Sequence, residues 1–223
     1  MCDFPMIFLV AILFFFLIGC KNSIVCVEKP VIAFASITGF VIALIFCVVD
    51  FLFLPSAHFA VYSFKTEFLQ VFIAEQIIPF AVCILVYFLL NKDSVDFKLQ
   101  SFAFVLLGFY MLFSPYKILT RYSILSPFCI VAKPILIFAL ILGEYFALSG
   151  AAGVLKTSKK TFAIPFFVLA LIILPLPALA EIAWFLKSPI MLYGTIFVVL
   201  CIFSFVFLPI LKSVLCNFAQ IEK

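Results

Sequence analysis

A chain of 223 residues that is 68% hydrophobic, only 11% charged and of mean hydropathy +1.43 does not have the makings of a soluble domain. Soluble domains are roughly half apolar and a quarter charged, so lipid must be the solvent for most of this surface. The formal net charge of +4 calls for no nucleic-acid partner, because positively charged loops are what orient membrane proteins.

In lipid every backbone N–H and C=O has to be satisfied internally, which leaves helices or closed barrels. Barrel strands would alternate apolar and polar side chains, whereas residues 162–175 and 195–210 are apolar nearly throughout. The expectation is an all-α, polytopic helical membrane protein with about seven transmembrane helices. The 33 phenylalanines fit lipid-facing positions. Six of the eight cysteines (Cys20, Cys47, Cys83, Cys129, Cys201 and Cys216) lie in or beside apolar runs, where cysteine behaves as a small hydrophobe. No CxxC or Cys/His spacing points to a metal.

In chain order, residues 1–20 hold the first apolar run. At 16 residues, 4–19 barely spans a hydrocarbon core of ~30 Å. Leu17-Ile18-Gly19-Cys20 resembles the cleavage site of bacterial lipoproteins, but a secretory signal opens with positive charge and here only Asp3 is charged. The segment reads as an uncleaved first helix rather than a signal, and residues 21–223 as one helical membrane domain. The second span, 30–54, opens on Pro30, suited to a first helical turn, and stops at Pro55. A loop with His58, the only histidine, follows. The third span, 68–90, is the most polar, with Gln70, Glu75, Gln76 and Pro79. The fourth, 99–114, is short and ends before Pro115. The fifth runs from about Pro134 to about Val154, with 122–132 as an interfacial or re-entrant lead-in. A basic loop, 156–160, leads to the sixth, 162–186, interrupted by Pro165 and by Leu174-Pro175-Leu176-Pro177, which must kink or break it. Trp184 and Lys187 look like interface anchors. The seventh is 189–211.

One stretch occurs twice. Residues 27–44 and 131–148, at an offset of 104, agree at nine of 18 positions, including Lys29-Pro30 with Lys133-Pro134 and Gly39 with Gly143. An odd number of spans separates the copies, so halves 27–119 and 131–213 would run in opposite directions, an inverted 3+3 repeat behind an added N-terminal helix. Transporters use that architecture, with sites where broken helices meet. Lys and Arg number nine on one side of seven spans and five on the other (Lys65, Lys117, Arg121, Lys133 and Lys187). The positive-inside rule then places the N-terminus outside and the C-terminus in the cytoplasm, with the bacterial cytoplasmic (inner) membrane as the expected location.

Charges inside apolar runs are costly and mark candidate sites. Glu75, Glu144, Lys133 and Asp50 are the expected substrate or ion pathway, with Glu75 and Glu144 at the midplane between the halves. Glu144 follows Lys133 by eleven residues, nearly the same helix face but ~16 Å along the axis, too far to pair. The structural alternative makes Asp50 and Glu181 interfacial and solvated. It leaves Glu75 and Glu144 satisfied by interhelical hydrogen bonds, or neutral because desolvation disfavours charge.

The chain carries no HExxH, no GxSxG elbow and no P-loop, which argues against an enzyme, and nothing implies a cofactor or metal. The leading expectation is a small-solute transporter or permease, with protons as the coupling ion and a small molecule or ion as substrate. One alternative is a non-catalytic subunit or scaffold for a membrane-protein partner, and another is a lipid-active enzyme.

Overall fold

The computed structural model describes residues 29–53, 68–69, 71–121, 131–156, 160–185, 189–190, 193–201 and 204. Helix α1 is Lys29–Phe53. A π-helical turn, Ile73–Ile77, leads into α2, Ile78–Leu90. Helix α3 is Val95–Arg121 and α4 is Lys133–Leu155. A 3-10 turn, Lys160–Ala163, opens onto α5, Ile164–Ile173, and after Leu174 and Pro175 the chain resumes as α6, Leu176–Phe185. No strand occurs among the described residues.

Five stretches are long and apolar enough to cross a bilayer: Pro30–Leu52, Ile73–Leu90, Phe97–Thr120, Lys133–Leu155 and Thr161–Trp184. The chain is a helical, multi-pass membrane protein. The expected first span, 4–19, lies outside the described residues, as do residues 122–130 of the lead-in, His58 and about half of the seventh span. Of that last span, residues 189–190, 193–201 and 204 are described and helical.

Contacts fix the directions of the spans. Helix α1 meets α3 at Gly39 with Val105 and again at Asp50 with Lys117, so the two run in parallel. Phe80 against Phe102, and Glu75 against Tyr110, make the second span antiparallel to α3. Gly150 beside Phe166, Gly143 beside Ile173 and Lys133 beside Glu181 run α5 and α6 back along α4. Helices α3 and α4 form the centre: 72% and 78% of their most apolar windows are buried, against 28–39% in the other three spans. The core is aromatic, with Phe102, Phe109 and Phe113 of α3 buried and ringed by Phe46, Phe80, Tyr87 and Tyr110. Outward faces such as Phe34, Ile37, Val41 and Leu44 on α1, or Val168, Leu171 and Ile172 on α5, are exposed and apolar, as lipid-facing surfaces must be.

Both Lys-Pro pairs open helices, as the sequence predicts, because proline's missing N–H finds no use in a first turn. The fifth span matches to within a residue at each end. The fourth does not stop at Pro115: α3 continues to Arg121 with the proline inside it. An internal proline costs about 3 kcal/mol through its lost hydrogen bond and ring clash. The turn beyond it is held by fully buried Ile118 and by Tyr116 and Lys117, both bonded to Asp50 of α1. Pro165 sits in the first turn of α5 and interrupts nothing. The break in the sixth span comes at Leu174 and Pro175, as expected. The matched glycines Gly39 and Gly143 both lie at helix contacts, one against backbone and the other against the Ile173 side chain. Seven spans and the 3+3 relation are not displayed, since the last helix of the second half is described only in pieces.

Candidate functional site

Proline again sets the local geometry. Pro79 has no N–H to offer the carbonyl four residues back, which is that of Glu75. The chain responds with a π turn, in which the Ile78 N–H donates to Ile73, five residues back. Such one-turn bulges insert an extra residue into a helix, and here two successive polar side chains, Glu75 and Gln76, are both buried. The Tyr110 hydroxyl of α3 donates to the Glu75 carbonyl oxygen at 2.8 Å, filling the acceptor that the proline left.

The Glu75 side chain reaches Lys133, the first residue of α4. Lys133 Nζ stands 2.6 Å from Glu75 Oε2 and 2.8 Å from Glu181 Oε2 on α6. The three side chains are 5% exposed or less. One ammonium thus clamps three segments from distant parts of the sequence. This corrects the interfacial, solvated reading of Glu181: past Leu174 and Pro175 the chain continues along α4, and α6 packs Glu181 against its start. The cluster lies toward the helix ends, with Lys133 at the start of its span and Glu75 three residues into Ile73–Leu90.

Asp50 belongs to a second cluster. Lys117 Nζ lies 3.0 and 2.8 Å from its two carboxylate oxygens, and the Tyr116 hydroxyl donates to Oδ2 at 2.8 Å. Asp50 is buried and paired rather than solvated, because α1 and α3 run side by side and α3 continues past Pro115. This pair ties α1 to α3 at the same end of the bundle as the Lys133 cluster.

Glu144 stands apart. It lies eleven residues beyond Lys133, about 16 Å deeper along α4, and it is 0% exposed. Neither carboxylate oxygen has a hydrogen-bond partner among the described residues. The positions one turn to either side, Leu140, Ile141, Ala147 and Leu148, are buried and apolar. Its predecessor Gly143 packs on Ile173, where a Cβ would meet that side chain at 3.0 Å, so the carboxyl stands level with the α5–α6 break. Leu140 joins Ile173, Leu174 and Leu176 from that break and Phe72 and Phe80 from the π-turn span in one apolar cluster. Both interrupted helices therefore close on the same stretch of α4. Tyr110 links the levels: it is buried within electrostatic reach of Glu75, Glu144, Lys133 and Cys83.

Of the expected pathway residues, the structure joins Glu75 with Lys133, sets Glu144 deeper in the same bundle, and places Asp50 in a separate pair. Glu181 and Tyr110 were missed as partners. The need for a donor to the Glu75 carbonyl is legible from Pro79, but the identity of the donor is not. Cys47 and Cys83 are free and buried. Among the described residues no cluster of His, Cys, Asp or Glu could hold a metal ion.

Set against models of known protein families, curated proteins and solved structures, the chain matches none. The site has to be read from its own chemistry. It holds a fully buried carboxyl without a hydrogen-bond partner among the described residues, and a buried cation shared by two carboxylates.

Proposed function

We propose that the protein is a transporter, moving a small solute across the bilayer with Glu144 as the group that couples solute to protons. The observation that carries this reading is the Glu144 carboxyl: fully buried, without a hydrogen-bond partner among the described residues, and level with the break in the fifth described span. A carboxyl that serves stability is paired, because an unsatisfied buried polar group costs about 1–3 kcal/mol or more. One kept without a partner in a membrane span is a functional candidate. Interrupted helices converging on it add support, since transporters place substrate sites where helices are broken. The Lys133–Glu75–Glu181 cluster would hold one end of the pathway closed, and Asp50 with Lys117 would brace α1 against α3. The same reading takes an inverted 3+3 repeat as the machinery and the bacterial inner membrane as the location, with the N-terminus outside.

The test is flux. The full chain is reconstituted in liposomes loaded with a pH-sensitive dye, and sugars, amino acids, amines and organic acids are offered under an imposed pH gradient. At least one solute class should dissipate the gradient, and Glu144→Gln should abolish that response while still inserting. Full flux in Glu144→Gln rejects the coupling role. No response from any class, together with a co-purifying membrane partner, would favour a scaffold.

A further inference from the structure

Resting on the transport reading, we infer that the solute is an organic ammonium ion, and that it and a proton occupy the Glu144 carboxyl in turn, so that the protein exchanges one for the other. The unpaired buried side-chain atoms of the described residues are all oxygens: those of Ser36, Gln76, Ser114, Ser149 and both carboxylate oxygens of Glu144, besides one Glu181 oxygen that lies on Lys133. The serine hydroxyls can donate as well as accept, but the Gln76 carbonyl oxygen and both Glu144 oxygens, once ionised, can only accept, so at Glu144 itself the unmet need is for donors. An anion would bring none, whereas an ammonium brings donors and positive charge together.

A bare alkali cation has the charge but needs a shell of oxygens, and one turn to either side of Glu144 the helix offers Leu140, Ile141, Ala147 and Leu148. Aromatic residues lie on the same stretch of the bundle. Tyr145 follows in the chain, with Phe104 against it at a ring separation of 5.7 Å, and Tyr110 lies within electrostatic reach. A carboxylate set among apolar neighbours suits an ammonium carrying apolar substituents. The bundle already holds one buried ammonium on carboxylates, that of Lys133 between Glu75 and Glu181.

The exchange balances. The protonated carboxyl of Glu144 and the incoming ammonium give a carboxylate–ammonium pair and one released proton; no other bond changes. Of the titratable groups, Tyr145 is next to Glu144 in the chain and Tyr110 on α3 interacts with it and also with Glu75, Cys83 and Lys133, while Lys133, holding Glu75 and Glu181, starts α4 about 16 Å away. Helix α5 carries none.

Binding to the purified full chain in detergent tests this without requiring transport. The probe is benzylammonium, with sodium, phosphate and acetate as comparisons, and proton release is followed in weak buffer. Benzylammonium should bind and release about one proton per ligand bound, sodium and the anions should not compete, and Glu144→Gln should lose both signals. Glu144→Asp, which keeps a carboxyl, should retain proton release with altered affinity and guards against a folding defect in the glutamine variant. Binding of phosphate or acetate but not of the amine overturns the inference, as does amine binding unchanged in Glu144→Gln. Flux without amine binding overturns this inference alone, and amine binding without flux overturns only the transport reading.

Discussion

At the scale of single residues, the buried charges divide into those that hold the bundle together and one that does not. Lys133 serves two carboxylates where water cannot replace it, and removing one side of a buried ion pair costs about 3–5 kcal/mol. Lys133→Met should lower unfolding stability in detergent by that amount. Lys117→Met should cost less, about 1–3 kcal/mol, since its pair is less deeply buried and Asp50 keeps a second donor. That donor is the Tyr116 hydroxyl at 2.8 Å, and the side chains of the pair are 14% and 10% exposed. Equal losses in denaturant titrations would show that the two clusters are equivalent. Glu144→Leu should go the other way, gaining about 1–3 kcal/mol, because it replaces an unsatisfied polar group without breaking a bond. A destabilised leucine variant would mean that Glu144 has a structural role.

At the scale of elements, small residues and prolines decide how the helices meet. A Cβ on Gly39 would land on the carbonyl oxygen of Val105, and one on Gly108 on that of Ser36, while one on Gly153 would meet nothing within 4 Å. Gly39→Ala and Gly108→Ala should therefore force α1 and α3 apart and lower thermal stability sharply. Gly153→Ala should be neutral or slightly stabilising, by up to about 1 kcal/mol from helix propensity. The π turn gives a sharper test. If the Tyr110 hydroxyl fills the acceptor left by Pro79, then Tyr110→Phe should cost about 1–3 kcal/mol in the wild type. It should cost clearly less in a Pro79→Ala background, where the substituted position would offer a backbone N–H of its own. A double-mutant cycle with no coupling would separate the two features. These elements also show what the chain discloses by itself. Both Lys-Pro starts and the Leu174–Pro177 interruption are local proline chemistry and can be read from sequence. The passage of α3 through Pro115 cannot, because it depends on Asp50, 66 residues from Tyr116. The same holds for the site: Glu75, Glu144, Lys133 and Asp50 stand out as charges in apolar runs, but the pairing of Glu75 with Lys133 joins positions 58 residues apart and follows only from packing.

At the scale of the whole molecule, the charges inside the bundle bear on which way it faces. Asp50, Glu75, Lys133 and Glu181 are buried toward one end, Glu144 lies deeper, and the other end is tied by neutral bonds from Tyr87 to Ser101 and from Asn91 to Tyr87. Lys133 and Lys117 are thus committed to carboxylates and should not be counted as loop charges. On their side that leaves Lys65, Arg121 and Lys187, against nine Lys and Arg on the other, which strengthens the bias that orients a membrane protein. The proposed orientation can be checked with an impermeant thiol reagent on a cysteine-depleted chain carrying Asp93→Cys, Thr120→Cys or Lys156→Cys, all at exposed positions. Two spans separate Asp93 from Lys156, so both should label from the same face, with Thr120 on the opposite one. Thr120→Cys should react in intact cells, and the other two only after permeabilisation. Labelling of Asp93→Cys and Lys156→Cys from opposite faces would break the alternation of spans itself. Labelling of both from outside would invert the proposed orientation, leave the helix order untouched, and place the Lys133 cluster at the cytoplasmic mouth of the pathway.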